Sequence, residues 1–131
     1  MLAGGIRALA EEAVHLYFAA VLPKCRGSVH CFAARDIVRF LLGARKGRMR
    51  GTSASRLFPA VISILKELER RGEIELFYSG RAKRHASKWI VRRSSPLWRR
   101  YAEISPEEYE LLRRRREEIA TRLRRLLDIV S

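Results

Sequence analysis

A chain of 131 residues with 28 Lys and Arg against 14 Asp and Glu carries a formal net charge of +14, and its length is that of one domain. Hydrophobic residues make up 47 % and aromatic ones 8 %, enough for a core, which excludes a disordered basic tail. So much like charge opposes compaction unless a polyanion screens it, so nucleic acid is the first partner to consider and an anionic membrane surface the second.

In chain order, Ile6, Leu9, Ala13, Leu16, Tyr17, Ala20 and Val21 recur at spacings of three and four, which predicts a helix closed by Pro23. Ser28 to Phe32 is a short β-prone piece. Ala33 to about Ala44 is helical again, with Ile37, Val38, Phe40, Leu41 and Leu42 as its apolar side. Lys46 to Gly51 is a basic, glycine-punctuated turn. A third helix starts near Thr52, Ser53 and Ser55, whose hydroxyls suit a cap. It runs through Leu57, Val61, Ile64, Leu65 and Leu68 to Gly72, and Pro59 in its early turns is expected to kink it.

Glu73 to Tyr78 and Ser87 to Arg92 read as the two strands of an antiparallel hairpin with a basic tip. Ser105-Pro106-Glu107-Glu108 is a helix start: a Ser cap, Pro at the first position and Glu at the third. From there Tyr109, Leu112, Arg116, Ile119, Leu123, Leu126 and Val130 follow a heptad seam that Arg116 interrupts. The acids and bases of residues 101–131 balance, so this helix does not read as a DNA arm; the heptad seam favours dimerisation through Tyr109, Leu112, Ile119, Leu123, Leu126 and Val130 over packing within the chain. Arg116 either faces out or, within the seam, weakens a parallel pairing in favour of an offset or antiparallel one.

The charge is concentrated in two segments. Residues 44–60 carry Arg45, Lys46, Arg48, Arg50 and Arg56 with no acid, a sum of +5. Residues 81–100 carry Arg81, Lys83, Arg84, Lys88, Arg92, Arg93, Arg99 and Arg100 with no acid, a sum of +8. Without acids, neither segment can form ion-pair networks of its own.

The stretch Ser53-Ala54-Ser55-Arg56-Leu57, continuing through Ile64-Leu65-Lys66-Glu67-Leu68-Glu69-Arg70-Arg71 to Gly72-Glu73-Ile74-Glu75-Leu76, resembles the recognition helix and first wing strand of winged helix-turn-helix proteins. The order helix, short strand, helix, turn, helix, hairpin fits the same superfamily over roughly residues 6–98. The resemblance implies a fold class of α+β, mainly helical. A winged helix-turn-helix nucleic-acid-binding domain would cover residues 1–100, and a C-terminal heptad-containing helix residues 105–131. It also implies that the start of the third helix enters the major groove of DNA while the wing tip meets the flanking backbone. Arg45, Lys46, Arg48, Arg50, Thr52, Ser53, Ser55 and Arg56 are then DNA-binding candidates, with Arg81, Lys83, Arg84, His85 and Lys88 on the wing. The guanidinium fork pairs bidentately with phosphate or guanine, and hydroxyls at a helix start suit phosphate.

The expected function is that of a homodimeric, DNA-binding transcription regulator. The competing readings are a sequence-neutral chromatin-like, single-strand or RNA binder, in which Trp89, Phe77, Tyr78 or Trp98, if exposed, would stack bases, and a winged-helix protein-interaction adaptor. Enzymatic function is not expected. His15, His30 and His85 form no evident acid–base pair, and the loop of Gly43, Gly47 and Gly51 lacks the phosphate-loop spacing. No cofactor, metal or small-molecule substrate is expected. Cys25 and Cys31, beside His30, supply too few ligands for zinc and read as two buried thiols, with a disulfide left open. Asn and Gln are absent, where on the order of ten are usual at this length; depletion of these thermolabile amides points to a hot environment and an archaeon. No secretory leader and no spanning stretch is read, so the expected location is the cytoplasm, in association with the nucleoid.

Overall fold

The computed structural model describes residues 2–42, 57–78 and 87–128. Its elements are α1 (Leu2–Val21), a single 3-10 turn (Leu22–Lys24), β1 (Val29–Ala33), α2 (Ala34–Leu42), α3 (Phe58–Arg70), β2 (Glu75–Tyr78), β3 (Lys88–Arg92), α4 (Pro96–Ala102) and α5 (Pro106–Asp128). The fold is α+β and mainly helical. The basic turn of residues 46–51 and the hydroxyl cap at Thr52, Ser53 and Ser55 lie outside the described residues.

α1 occupies the middle. Ala10, Ala13, Val14 and Phe18 are fully enclosed, and Leu9, Leu16, Tyr17 and Leu22 nearly so. A helix enclosed over so wide an arc needs partners on several sides, and α2, α3, α4 and α5 all pack on it. Pro23 lies in the first turn of the 3-10 segment, which the Cys25 N–H closes onto the Leu22 carbonyl at 3.1 Å. At the start of α2 the Asp36 carboxylate reaches back to the backbone N–H of Ala33, 2.8 Å away, one half of a capping box.

α3 buries Val61, Ile64, Leu65 and Leu68 along one stripe. Pro59 sits at its N-terminal edge, where a missing N–H costs nothing, so the expected kink does not arise. The C-terminal stop is a Schellman motif. Gly72 adopts φ +78°, its N–H reaches the Glu69 carbonyl at 3.0 Å, and the Glu73 N–H reaches the Leu68 carbonyl at 3.0 Å.

The sheet order is β1-β3-β2, antiparallel throughout. The hairpin of β2 and β3 is present, with an irregularity between Leu76 and Tyr78. β3 is central, which is why Trp89, Ile90 and Val91 are all buried while Lys88 and Arg92 at its ends are exposed. In β1, side chains alternate, so Phe32 turns inward and Cys31 outward. Cys31 is therefore exposed and Cys25 half-buried, both as free thiols, rather than the two buried thiols expected.

α4 has no counterpart among the expected elements. Its signal is Ser95-Pro96, the same cap-plus-proline pair as Ser105-Pro106. The Ser95 hydroxyl accepts from the Leu97 N–H at 3.2 Å and donates to the Glu73 carbonyl at 2.8 Å, so one buried side chain caps α4 and fastens it to the chain entering β2. At α5 the expected cap is present, the Ser105 hydroxyl accepting from the Glu108 N–H at 3.1 Å.

The C-terminal helix is part of the same core as the rest of the chain. Ile119, Ala120 and Leu123 are fully buried, and Leu112 and Leu126 pack against the core. α5 rests on α1 and α2. Arg115 donates to Glu12 at 2.8 and 3.1 Å, and Arg124 donates to the Leu42 carbonyl at 2.7 Å.

Two substitutions test these junctions. Gly72→Ala meets no atom within 4 Å of its new methyl group, so its cost is the left-handed backbone alone, about 1 kcal/mol in urea denaturation. Ser95→Ala removes a cap and leaves the part-buried Glu73 carbonyl without that donor, and is expected to cost about 1–2 kcal/mol; an unchanged midpoint would show the hydroxyl to be dispensable.

Candidate nucleic-acid interface

Of the expected DNA contacts, Arg45, Lys46, Arg48, Arg50, Thr52, Ser53, Ser55, Arg56, Arg81, Lys83, Arg84 and His85 lie outside the described residues. Lys88 is described: it is exposed at the first position of β3. The segment 43–56 enters α3 and the segment 79–86 joins β2 to β3, so both acid-free stretches attach to the α3 and hairpin side of the molecule.

That side carries a cleft of about 830 Å³ between the outer face of α3 and the hairpin. Pro59, Ser63, Lys66 and Arg70 are exposed along α3, and Leu76, Ser87 and Trp89 form the other wall. Lys66, Arg70 and Lys88 make no ion pair among the described residues. Lys66 and Arg70 were not among the sequence candidates, because the charge of residues 61–80 sums to −1. The sum hides a division by face. Glu67 pairs with Arg7 at 3.0 Å and Arg71 at 2.9 Å, Glu73 faces Arg100 at 3.7 Å, and Glu75 grips Arg92. Glu69, which lines the cleft, accepts the Trp89 indole N–H at 3.2 Å. The helical spacing of Lys66 and Arg70, opposite Val61, Ile64, Leu65 and Leu68, was the available signal.

The same pairs alter the reading of the basic segment 81–100. Acids from elsewhere in the chain reach it, so ion pairs form across segments. Arg92 and Arg100 are held as above. Arg93 donates to the Gly27 carbonyl at 2.8 and 3.0 Å and to the Cys25 carbonyl at 2.9 Å, and lies 4.9 Å over the Trp98 ring. Arg93 thus holds the loop before β1 in place. Lys88 and Arg99 are left as its cations without a partner among the described residues.

Trp89 and Trp98 are buried at 2 % and 1 % exposure and so fail the condition for stacking bases in the sequence-neutral reading, whereas Phe77 is 67 % exposed. Tyr78 is placed in β2.

The dimerisation candidates are also placed differently from expectation. Ile119 and Leu123 are enclosed within their own chain, Leu112 and Leu126 pack on the same core, and Tyr109 is half-buried beneath Lys24, whose Nζ is 5.6 Å from the ring. Val130 lies outside the described residues. Arg116, for which the spacing leaves open both facing out and sitting in the seam, places its guanidinium carbon 5.1 Å from the centre of the Phe40 ring. The seam faces inward because α1 and α2 offer it apolar surface in the same chain, which encloses Ile119 and Leu123 and leaves Tyr109, Leu112 and Leu126 half-buried.

His15 shares a 2.6 Å hydrogen bond with Tyr101, and His30 lies between the Tyr17 hydroxyl, at 2.8 Å, and the Cys25 thiol, at 3.6 Å. Burial pushes the Tyr17 and Tyr101 hydroxyls and the Cys25 thiol up. Among the described residues no group of three or more His, Cys, Asp and Glu is arranged to hold a metal ion, and no helix is long and apolar enough to cross a membrane.

Comparison with family models, with curated proteins and with solved structures finds no match in any of the three.

The histidines set a pH dependence. Burial, aided at His15 by the Arg100 charge, lowers both from the ordinary 6.5. The unfolded chain then takes up protons before the folded one, so this stability is complete above about pH 6.5 and is lost as pH falls through the range below it. Urea midpoints followed from about pH 7.5 to pH 5 are expected to decline, with a shallower slope in the His15→Gln/His30→Gln variant; an equal slope would place the proton uptake elsewhere.

Proposed function

We propose that the protein binds nucleic acid, with duplex DNA as its first target, through a winged helix-turn-helix surface, and that it acts as a transcription regulator. In this reading α3 is the recognition helix, the segment before it supplies contacts to the backbone, and the turn between β2 and β3 is the wing. The observation that carries the reading is the cleft bordered by Lys66 and Arg70, cations without an ion-pair partner among the described residues. Lys88 lies near it at the start of β3, and both acid-free segments of the chain attach beside it. The element order and the β1-β3-β2 sheet support it as well.

The chemistry follows from the residues. Lys66 and Arg70, one turn apart on an exposed helix face, are spaced to follow a strand of phosphates, and their charge releases counterions on binding. Glu67 of α3, Glu73 in the turn after it and Glu75 of β2 are engaged by arginines of the same chain, which lessens the repulsion a polyanion would meet there. Glu69 in the cleft is held by the Trp89 indole N–H. The arginines of residues 44–60 and 81–87 belong to the acid-free segments that precede α3 and join β2 to β3.

Binding titrated against salt, with a random duplex, a single strand and an RNA, tests the proposal. If about six to ten phosphates are neutralised, duplex affinity falls by about three to five decades between 50 and 200 mM salt. Lys66→Ala and Arg70→Ala are each expected to weaken binding and to reduce the salt slope by about one. The Arg81→Ala/Lys83→Ala/Arg84→Ala variant is expected to lose more. Preference for the single strand, with loss on Phe77→Ala, would transfer the reading to a stacking binder; unchanged binding by all these variants would overturn the interface.

A further inference from the structure

α5 has a symmetry that its packing does not use. Counting outward from Arg116, every glutamate of residues 107–125 is matched by an arginine at the same distance on the other side: Glu107 by Arg125, Glu108 by Arg124, Glu110 by Arg122, Glu117 by Arg115 and Glu118 by Arg114. A two-fold axis crossing a pair of antiparallel identical helices at Arg116 would carry each residue to the level of its match. Acid would then meet base at every such level, whereas a parallel pairing in register would set like against like.

The inner face of α5 is occupied by α1 and α2. Its outward line is Glu107, Leu111, Arg114, Glu118, Thr121 and Arg125, all exposed, at the alternating spacings of four and three that keep residues on one side of a helix. Leu111, at 64 % exposure, is among the few large apolar side chains left in solvent. Glu107, Arg114 and Arg125 form no ion pair in their own chain among the described residues. Glu118 is held by Arg115 at 3.1 Å and keeps most of its surface open.

We propose that this outward face of α5 is a self-association surface, on which a second copy of the chain docks antiparallel about Arg116. Glu107 of one copy then faces Arg125 of the other, Arg114 faces Glu118, and Leu111 lies near Thr121. The matched stretch is about 27 Å long at 1.5 Å per residue. Exposed ion pairs are individually weak, so the association is modest and sensitive to salt. The proposal rests on α5 alone and stands or falls independently of nucleic-acid binding.

Sedimentation velocity of the full chain, without nucleic acid, at low and high salt tests it. Wild type is expected to associate into dimers at low salt and to dissociate as salt rises. Glu107→Arg and Arg125→Glu each place like charges opposite one another and are expected to weaken self-association at least about tenfold. The two single variants mixed together form a heterodimer in which every reversed charge again faces its opposite, and the Glu107→Arg/Arg125→Glu chain dimerises with itself. Circular dichroism of each variant separates loss of association from loss of fold, both positions being on the solvent side of the helix. A wild type that is monomeric throughout, single variants that associate undiminished, or a mixture that fails to recover association would each overturn the proposal.

Discussion

The burial of α1 is the constraint on which the other elements depend. Its apolar residues are enclosed over too wide an arc for any single partner, so four helices and the strand β1 gather round it. The polar residues left on its edges then fix each neighbour in place. Arg7 reaches Ser63 at 2.7 Å and Glu67 at 3.0 Å on α3, Glu12 holds Arg115 of α5, His15 meets Tyr101 of α4, and Tyr17 meets His30 of β1. Edge-on aromatic contacts complete the joint, with Phe18 against Phe32 at 5.2 Å and Tyr17 against Phe40 at 5.7 Å. A side chain on α1 therefore acts on the placement of an element distant in sequence.

This arrangement sorts the large positive charge into two populations. Arg7, Arg92, Arg93, Arg100 and Arg115 are committed to carboxylates or carbonyls of the same chain and serve as fasteners. Lys66, Arg70, Lys88 and Arg99, like Arg114 and Arg125 of α5, remain without ion-pair partners among the described residues. Exposed ion pairs add little stability singly, so the consequence of the first group is chiefly spatial: it neutralises acids that would otherwise weaken a cationic surface. The free cations of α3 and β3 are left on the side where the two acid-free segments enter and leave.

α5 is two-sided for a related reason. Its apolar line is spent on the core, while on its outward line Glu107, Arg114 and Arg125 have no ion-pair partner among the described residues. The arginine that interrupts the apolar line is half-buried, its guanidinium lying over the Phe40 ring and reaching Glu117 at 3.3 Å. A sequence repeat can record two interfaces at once, one for each face of the helix.

Much of the fold was legible in the residues. The helices around Leu9–Val21, Ile37–Leu41, Val61–Leu68 and Tyr109–Leu126, the stop at Gly72, the Ser105-Pro106 start and the hairpin were all readable. Each depends on spacing along a single stretch of chain or on the backbone preferences of one residue. α4 escaped notice because it is short and its Ser95-Pro96 start follows directly on a strand, though the same local chemistry marks it. Lys66 and Arg70 escaped because a sum over a segment mixes opposite faces of one helix. The residues themselves determined which stretches are helices and strands, which sides are apolar, and where acids are missing. Only the tertiary structure decided what each side faces: whether the α5 seam meets its own chain or another, which tryptophans are hidden, and which arginines are consumed. Those outcomes depend on groups far apart in sequence approaching within a few ångströms, and local periodicity carries no record of which partner arrives.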